Sequence, residues 1–264
     1  KPKGVPSSGG ALAVSADGAF FATGEGVVSV FDARTFDKVW GVKATFATSA
    51  AFSPDGASLA FGTVQTGISL HDARTGELSA GRPQTSSGAV RALAFSPDGG
   101  ALFAANGLGC IDRFDTTTWE RASSSREPAL DCLAVSRDGA LVASGGATWP
   151  IVDHPVAGRS PASTHVTVRA PSLSVLRTLH VGDENEVRSA MGTIGNVRSV
   201  AFVPGTSELW ALYRRIDKTF LHRWDAADGR ILSTETLSLT GLDLDAAADG
   251  TIAIAAKEGL FLWS

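Results

Sequence analysis

Ala92-Leu93-Ala94-Phe95-Ser96-Pro97-Asp98-Gly99 is an apolar run that stops at a turn. Pro97 presets the φ that the first turn position needs, Asp98 is comfortable at the second, and Gly99 supplies the positive φ that sends the chain back as a hairpin. The phrase recurs at Ala51-Phe52-Ser53-Pro54-Asp55-Gly56 and, more loosely, at Ala13-Val14-Ser15-Ala16-Asp17-Gly18, Ala134-Val135-Ser136-Arg137-Asp138-Gly139 and Ala246-Ala247-Ala248-Asp249-Gly250. A further copy, Ala201-Phe202-Val203-Pro204-Gly205, lacks the aspartate. The turn glycines repeat at about 40 residues, except between Gly139 and Gly205, a step of one period plus about 26 residues that is too short for two periods.

Each period holds four short strands set off by turn signals. In the first they are expected at 11–14, 20–23, 27–31 and 38–42, with Asp32-Ala33-Arg34-Thr35 as the second turn. The later repeats begin near residues 47, 90, 130, 197 and 242, and no stretch sustains a helical period. The pattern predicts an all-β chain: a β-propeller of six four-stranded antiparallel blades, in one domain over 1–264. The last repeat stops after its third strand, so the N-terminal residues 3–8 are expected to add as the outermost strand of blade six. Pro2 and Pro6 suit only an outer edge, because they cannot donate to a ladder.

The third strands share an ending: Phe31-Asp32, His71-Asp72, Phe114-Asp115, Trp224-Asp225 and, in the last repeat, Trp263-Ser264. With the period and the Ser-Pro-Asp-Gly turns, this resembles the Trp-Asp (WD) repeat β-propellers over nearly the whole chain. The resemblance implies a closed ring of blades, first strand innermost, that serves as a binding platform rather than an enzyme. The chain reads as a degenerate member, or as a propeller of a related class. Only Trp224-Asp225 is a full pair, the Gly-His opening of a family repeat is absent, and Glu25, Gln65, Asn106 and Lys257 stand in the regions where an Asp is usual. The family's buried Asp-His-Ser/Thr-Trp network therefore cannot form as a set. Blade packing must rest on apolar burial, large residues such as Leu93 and Phe95 alternating with Ala92 and Ala94.

With 264 residues and 44% hydrophobic content the chain can bury a full core. Its 27 acidic against 23 basic residues give a net charge of −4 and no reason to expect nucleic acid. No apolar run is long enough to span a membrane, no signal peptide is visible, and the compartment stays open, with the cytoplasm ahead of the alternatives. Cys110 and Cys132 sit in strand patterns and read as buried free thiols. None of His71, His154, His165, His180 and His222 has a ligand-spaced partner, and His71 holds the aromatic position of its repeat. Asp183-Glu184-Asn185-Glu186 reads as a solvated loop rather than a calcium site. No nucleophile elbow or phosphate loop is present, and no metal or cofactor is implied. Asp131, Asp243 and Asp245 lie in or near first strands. They would line the channel as hydrated wall or, in an enzyme, as a carboxylate cluster.

The expansions fall on one side of the repeats. Turns between first and second and between third and fourth strands are short, whereas 147–163, 182–196 and 213–218 expand the other set, in blades four and five. Long loops on a rigid scaffold are where binding concentrates. The expected function is a non-catalytic platform for a protein or peptide, alone or as one domain of a larger scaffold or signalling protein. The candidate contact residues are Trp149, Pro150, Ile151, His154, Arg159, Arg214, Arg215 and Asp217, with Trp149 as anchor. The alternatives are a propeller enzyme of the lactonase, lyase or hydrolase kind, with its site at the channel mouth, and a purely structural module. The oligomeric state is left open.

Overall fold

The structure is a computed structural model that describes residues 11–24, 26–44, 46–65, 67–79, 83, 85, 89–127, 130–146, 165–181, 196–215, 218–247 and 249–263. Blade one is β1 (Ala11–Val14), β2 (Phe20–Gly24), β3 (Val27–Asp32) and β4 (Lys38–Lys43). Blade two is β5 (Ala47–Phe52), β6 (Ser58–Thr63) and β7 (Ile68–Asp72), with a single bridge from Leu78 to His71 in the fourth position. Blade three is β8 (Val90–Phe95), β9 (Ala101–Asn106), β10 (Cys110–Asp115) and β11 (Arg121–Arg126). Blade four is β12 (Cys132–Val135), β13 (Val142–Gly145), β14 (His165–Arg169) and β15 (Val175–His180). Blade five is β16 (Asn196–Phe202), β17 (Glu208–Arg215), β18 (Lys218–Asp225) and β19 (Ile231–Leu237). Blade six is β20 (Gly241–Ala246), β21 (Ile252–Ala256) and β22 (Gly259–Trp263). Each sheet is antiparallel with its strands in chain order, and the fold is an all-β propeller of six blades.

Local chemistry explains the repetition. Ser96 Oγ donates to Asp98 at 2.5 Å, Asp98 accepts the Gly100 N–H at 3.0 Å, and Ser96 Oγ accepts the Ala101 N–H at 2.8 Å. The same box closes at Ser15–Asp17, Ser53–Asp55 and Ser136–Asp138. Gly99 closes it with φ of 73°, and its N–H donates to Ser96 O at 2.9 Å. The Asp of the third-strand ending acts in a second turn. Asp72 accepts the N–H groups of Arg74 and Thr75 at 2.9 and 2.7 Å, as Asp32 and Asp115 do in their blades. Gly76, with φ of 74°, ends that turn.

The strands fall into two compact units, Lys1–Arg126 and Glu127–Ser264. In the first, β1, β5 and β8 lie side by side, and apolar clusters fill the spaces between blades. Trp40 of β4 reaches over blade two: its indole N–H donates to Ala73 O at 2.9 Å, and its ring stacks on His71, which stacks in turn on Phe61. In the second, β12, β16 and β20 lie side by side. Trp224 anchors one cluster; Trp210, Leu212 and Leu221 belong to the next.

Strand register puts Phe31, His71, Phe114, Trp224 and Trp263 in one slot, each opposite the second strand of its blade. In blade four the slot holds Arg169, opposite Val142 and fully buried. Its guanidinium pairs with Glu127, on the segment leading into β12, and donates to Leu173 O at 2.9 Å; Ser144 lies beside the same carboxylate. The network expected to be missing is replaced in this blade by a charged one.

The segment 213–218, expected as an expanded turn, is mostly ladder. Tyr213 pairs with Phe220, Arg214 with Thr219 and Arg215 with Lys218. The Tyr213 and Phe220 rings, 5.8 Å apart, carry the hairpin outward.

Candidate functional site

Two ends of each blade differ in kind. The turn end carries the sealed Ser–Asp boxes in blades one to four and the Asp-capped turns in blades one to three. The loop end is where first strands begin, second strands finish and third strands begin. In blades four and five the strand residues at the loop end are Gly145, His165, His180 and Asn196, and the chain between them runs through 147–164 and 182–195. Trp149, Pro150, Ile151, His154, Arg159 and Asp217 lie outside the described residues, as does the acidic run 183–186. Arg214 is half-buried in β17, across from Asn196 on one side and Thr219 on the other; Arg215 follows it in the same strand.

The first strands beside these loops carry polar side chains tied across strand boundaries. Asn196 Nδ2 donates to Asp131 Oδ2 at 3.0 Å. Ser199 Oγ donates to Asp243 Oδ1 at 2.5 Å, and that oxygen also accepts the Leu244 N–H at 2.9 Å. Partial desolvation of the Asp243 carboxyl at these contacts raises its pKa, against the opposing pull of the two donors, although the residue keeps an exposed surface. Cys132, buried and free, lies 3.3 Å from Gly145 O. Burial, and then the charges of Asp131 and Asp243, push its thiol up, so it is no thiolate nucleophile. Cys110 is likewise buried and free. Asp245 is exposed as well and accepts its neighbour's N–H.

Burial acts on two of the imidazoles here. Burial lowers His165, with His180 opposite it in register adding to the effect. Burial brings His222 down to about 4; its Nδ1 lies 3.0 Å from Thr234 Oγ1, and its ring stacks on Trp224. Among the described residues no group of three His, Cys, Asp or Glu side chains is placed to hold a metal ion. Nor is any helix long and apolar enough to cross a membrane. What the array can do is hold three first strands in fixed register.

The sequence showed the Ser96-type serine as part of the repeated turn, but its hydrogen-bonding role in closing the box went unread. The Arg169–Glu127 pair carried no such signal, because its members are far apart in the chain.

No protein family model and no curated protein matches this sequence. Solved structures do match in fold. A chain of the mitotic checkpoint complex superposes with a TM-score of 0.74 at 16% identity, covering 96% of this chain and 73% of that one. A chain of hydrazine synthase from Kuenenia stuttgartiensis gives 0.76 at 16% identity, covering 97% and 76%. At such identities the likeness is one of fold.

Proposed function

We propose that this chain is a non-catalytic WD-type binding platform for a protein or peptide, alone or as one domain of a larger scaffold. Its contacts are made by the loop end of blades four and five. One observation supports this above others. The longest connections, 147–164 and 182–195, both leave strands at the loop end of adjoining blades, whereas the turns at the other end are short and satisfy their own hydrogen bonds. Trp149, Pro150 and Ile151 supply the apolar anchor; His154, Arg159, Arg214, Arg215 and Asp217 supply the polar contacts. A second reading, an enzyme with its site among the first strands, is favoured by the raised Asp243 alone.

The test is the double variant Trp149→Ala with Arg214→Glu, used in affinity capture from the source cell. Loss of the captured partner with an unchanged thermal midpoint is the expected result. A partner that is retained, or one that maps to the Ser–Asp turns at the opposite end, would overturn the proposal.

A further inference from the structure

The loop end of the first unit carries a surface that the sequence did not announce. Phe46 sits there with φ of 56° and 60% of its surface exposed. Three other described residues besides glycine have positive φ, and each has packing that Phe46 lacks: Phe36, 46% exposed, sets its ring at a tilt to Phe21 at 5.7 Å, Trp119 packs on an apolar cluster, and Leu173 is buried. Among the described residues Phe46 has neither ring contact nor burial. Backbone strain and an exposed aromatic both oppose folding, and residues that carry both cluster where a partner binds.

The surroundings extend the surface. The Val64 N–H donates to Phe46 O at 3.2 Å, which sets Val64, 43% exposed, beside it. Thr48 Oγ1 donates to Val90 O and so draws the start of β5 to the start of β8, where Arg91 follows. Arg91 Nε lies 3.1 Å from the point where a Cβ on Gly107 would sit, next to Leu108, which is 68% exposed. Leu108 is not loose: Asn106 Oδ1 accepts the N–H groups of both Leu108 and Cys110 at 3.0 Å. Arg126 stands opposite Cys110 in register, and Lys43 ends β4 three residues before Phe46. Lys43, Arg91 and Arg126 are exposed, and none has a carboxylate partner among the described residues. No described Asp or Glu of the first unit lies at this end.

We infer that Phe46, Val64 and Leu108, rimmed by Lys43, Arg91 and Arg126, dock an extended acidic peptide that carries apolar side chains. The inference rests on the binding-platform reading and names a partner class for it. The apolar side chains would cover the three exposed residues, and the carboxylates would meet the cationic rim, which also steers encounter although the whole chain is acidic.

A displayed library of random ten-residue peptides, panned on the full chain, tests this. The selected pool should be rich in Asp and Glu together with Leu, Ile or Phe. By fluorescence anisotropy a selected peptide should bind at least tenfold more weakly to Phe46→Gly and to Arg91→Glu, and more weakly to wild type as salt rises. Phe46→Gly should keep or raise the thermal midpoint, because glycine takes positive φ without strain. Leu108→Ser serves as a second apolar variant and should weaken binding to a similar extent. An unselected pool, a pool without acidic and apolar enrichment, or selection of a single-stranded oligonucleotide or anionic vesicles instead would overturn the inference. A peptide indifferent to Phe46→Gly but lost on Trp149→Ala would also overturn it, and would leave the platform reading in place. Loss on Phe46→Gly alone would support it and move the platform's contacts to this unit.

Discussion

Replacing Glu127 by Gln removes one charge from a pair that blade four cannot hydrate. The Arg169 side chain is 1% exposed and that of Glu127 is 8%, so the guanidinium keeps its charge but faces a neutral amide where the carboxylate stood. Breaking a buried pair on one side costs about 3–5 kcal/mol. The amide oxygen of Gln still accepts a hydrogen bond, which places the expected loss near the lower limit, about 3 kcal/mol. For a chain of this size that is a fall of roughly 6–12 °C in the thermal midpoint. Arg169→Phe alone should cost a similar amount, because it strands the carboxylate. Combining Arg169→Phe with Glu127→Leu gives blade four the aromatic slot of its neighbours and should recover at least about 2 kcal/mol relative to the sum of the single losses. Urea denaturation of the four proteins measures that coupling. A Glu127→Gln midpoint indistinguishable from wild type, or a coupling near zero, would mean that water reaches the pair and that the argument from burial is wrong.

Gly76 and Gly99 have φ of 74° and 73°, so alanine at either pays the same backbone cost, about 1 kcal/mol. A Cβ at 76 would lie 2.6 Å from the Trp40 ring, against 3.9 Å from Pro54 for one at 99, so Gly76→Ala should be the worse by about 1–3 kcal/mol; equal urea midpoints would contradict the packing at Trp40. His222, at about 4 when folded against an ordinary value near 6.5, binds its proton more readily in the unfolded chain. Its stabilising effect is therefore complete above about pH 6.5 and lost between there and pH 4, and His222→Phe should flatten the stability profile in that window. Hydrogen bonds to Asp55, Asp98 and Asp138 lower their pKa, so their effect is present above the ordinary carboxylate value and lost as pH falls through the folded one; Asp98→Asn should blunt the acid limb below about pH 4. Residues 3–8 lie outside the described residues; we also propose that they pair with β22, whose Leu260 and Leu262 are 69% and 68% exposed, whereas the third strands of blades one and three are largely buried. Deleting residues 1–8 should speed amide exchange at Leu260–Trp263, and unchanged protection there would refute the pairing.

The repeat was legible because its turns are local: Ser, Asp and Gly a few residues apart make their own hydrogen bonds, and the sequence shows them side by side. Strand positions followed to within a residue or two, since apolar runs bounded by such turns leave little freedom. The ladder beyond Tyr213 was less visible, because Arg214 and Arg215 look like turn residues until Phe220 is placed across from Tyr213. Arg169 was hidden for the opposite reason. Its strand lacks the aromatic-Asp ending, and the carboxylate that makes it tolerable comes from beyond β13. Of the candidate site, the unusual loop lengths could be read directly. The exposure and strained backbone of Phe46 could not, since φ and accessibility are properties of the folded chain.

A protein made of near copies must tell its copies apart while it folds. Apolar slots are poor labels: the Phe114 hairpin offers the same greasy edge as the Phe31 hairpin, and a mistaken docking costs little. Arg169 is a label of another kind. Laid against a first-and-second-strand pair other than its own, its guanidinium would be sealed from water without Glu127, at a penalty larger than most errors of packing. One charged slot among six thus acts as an address for the fourth repeat, and the doubly apolar variant, however stable, should refold with more misassembled chain than the wild type.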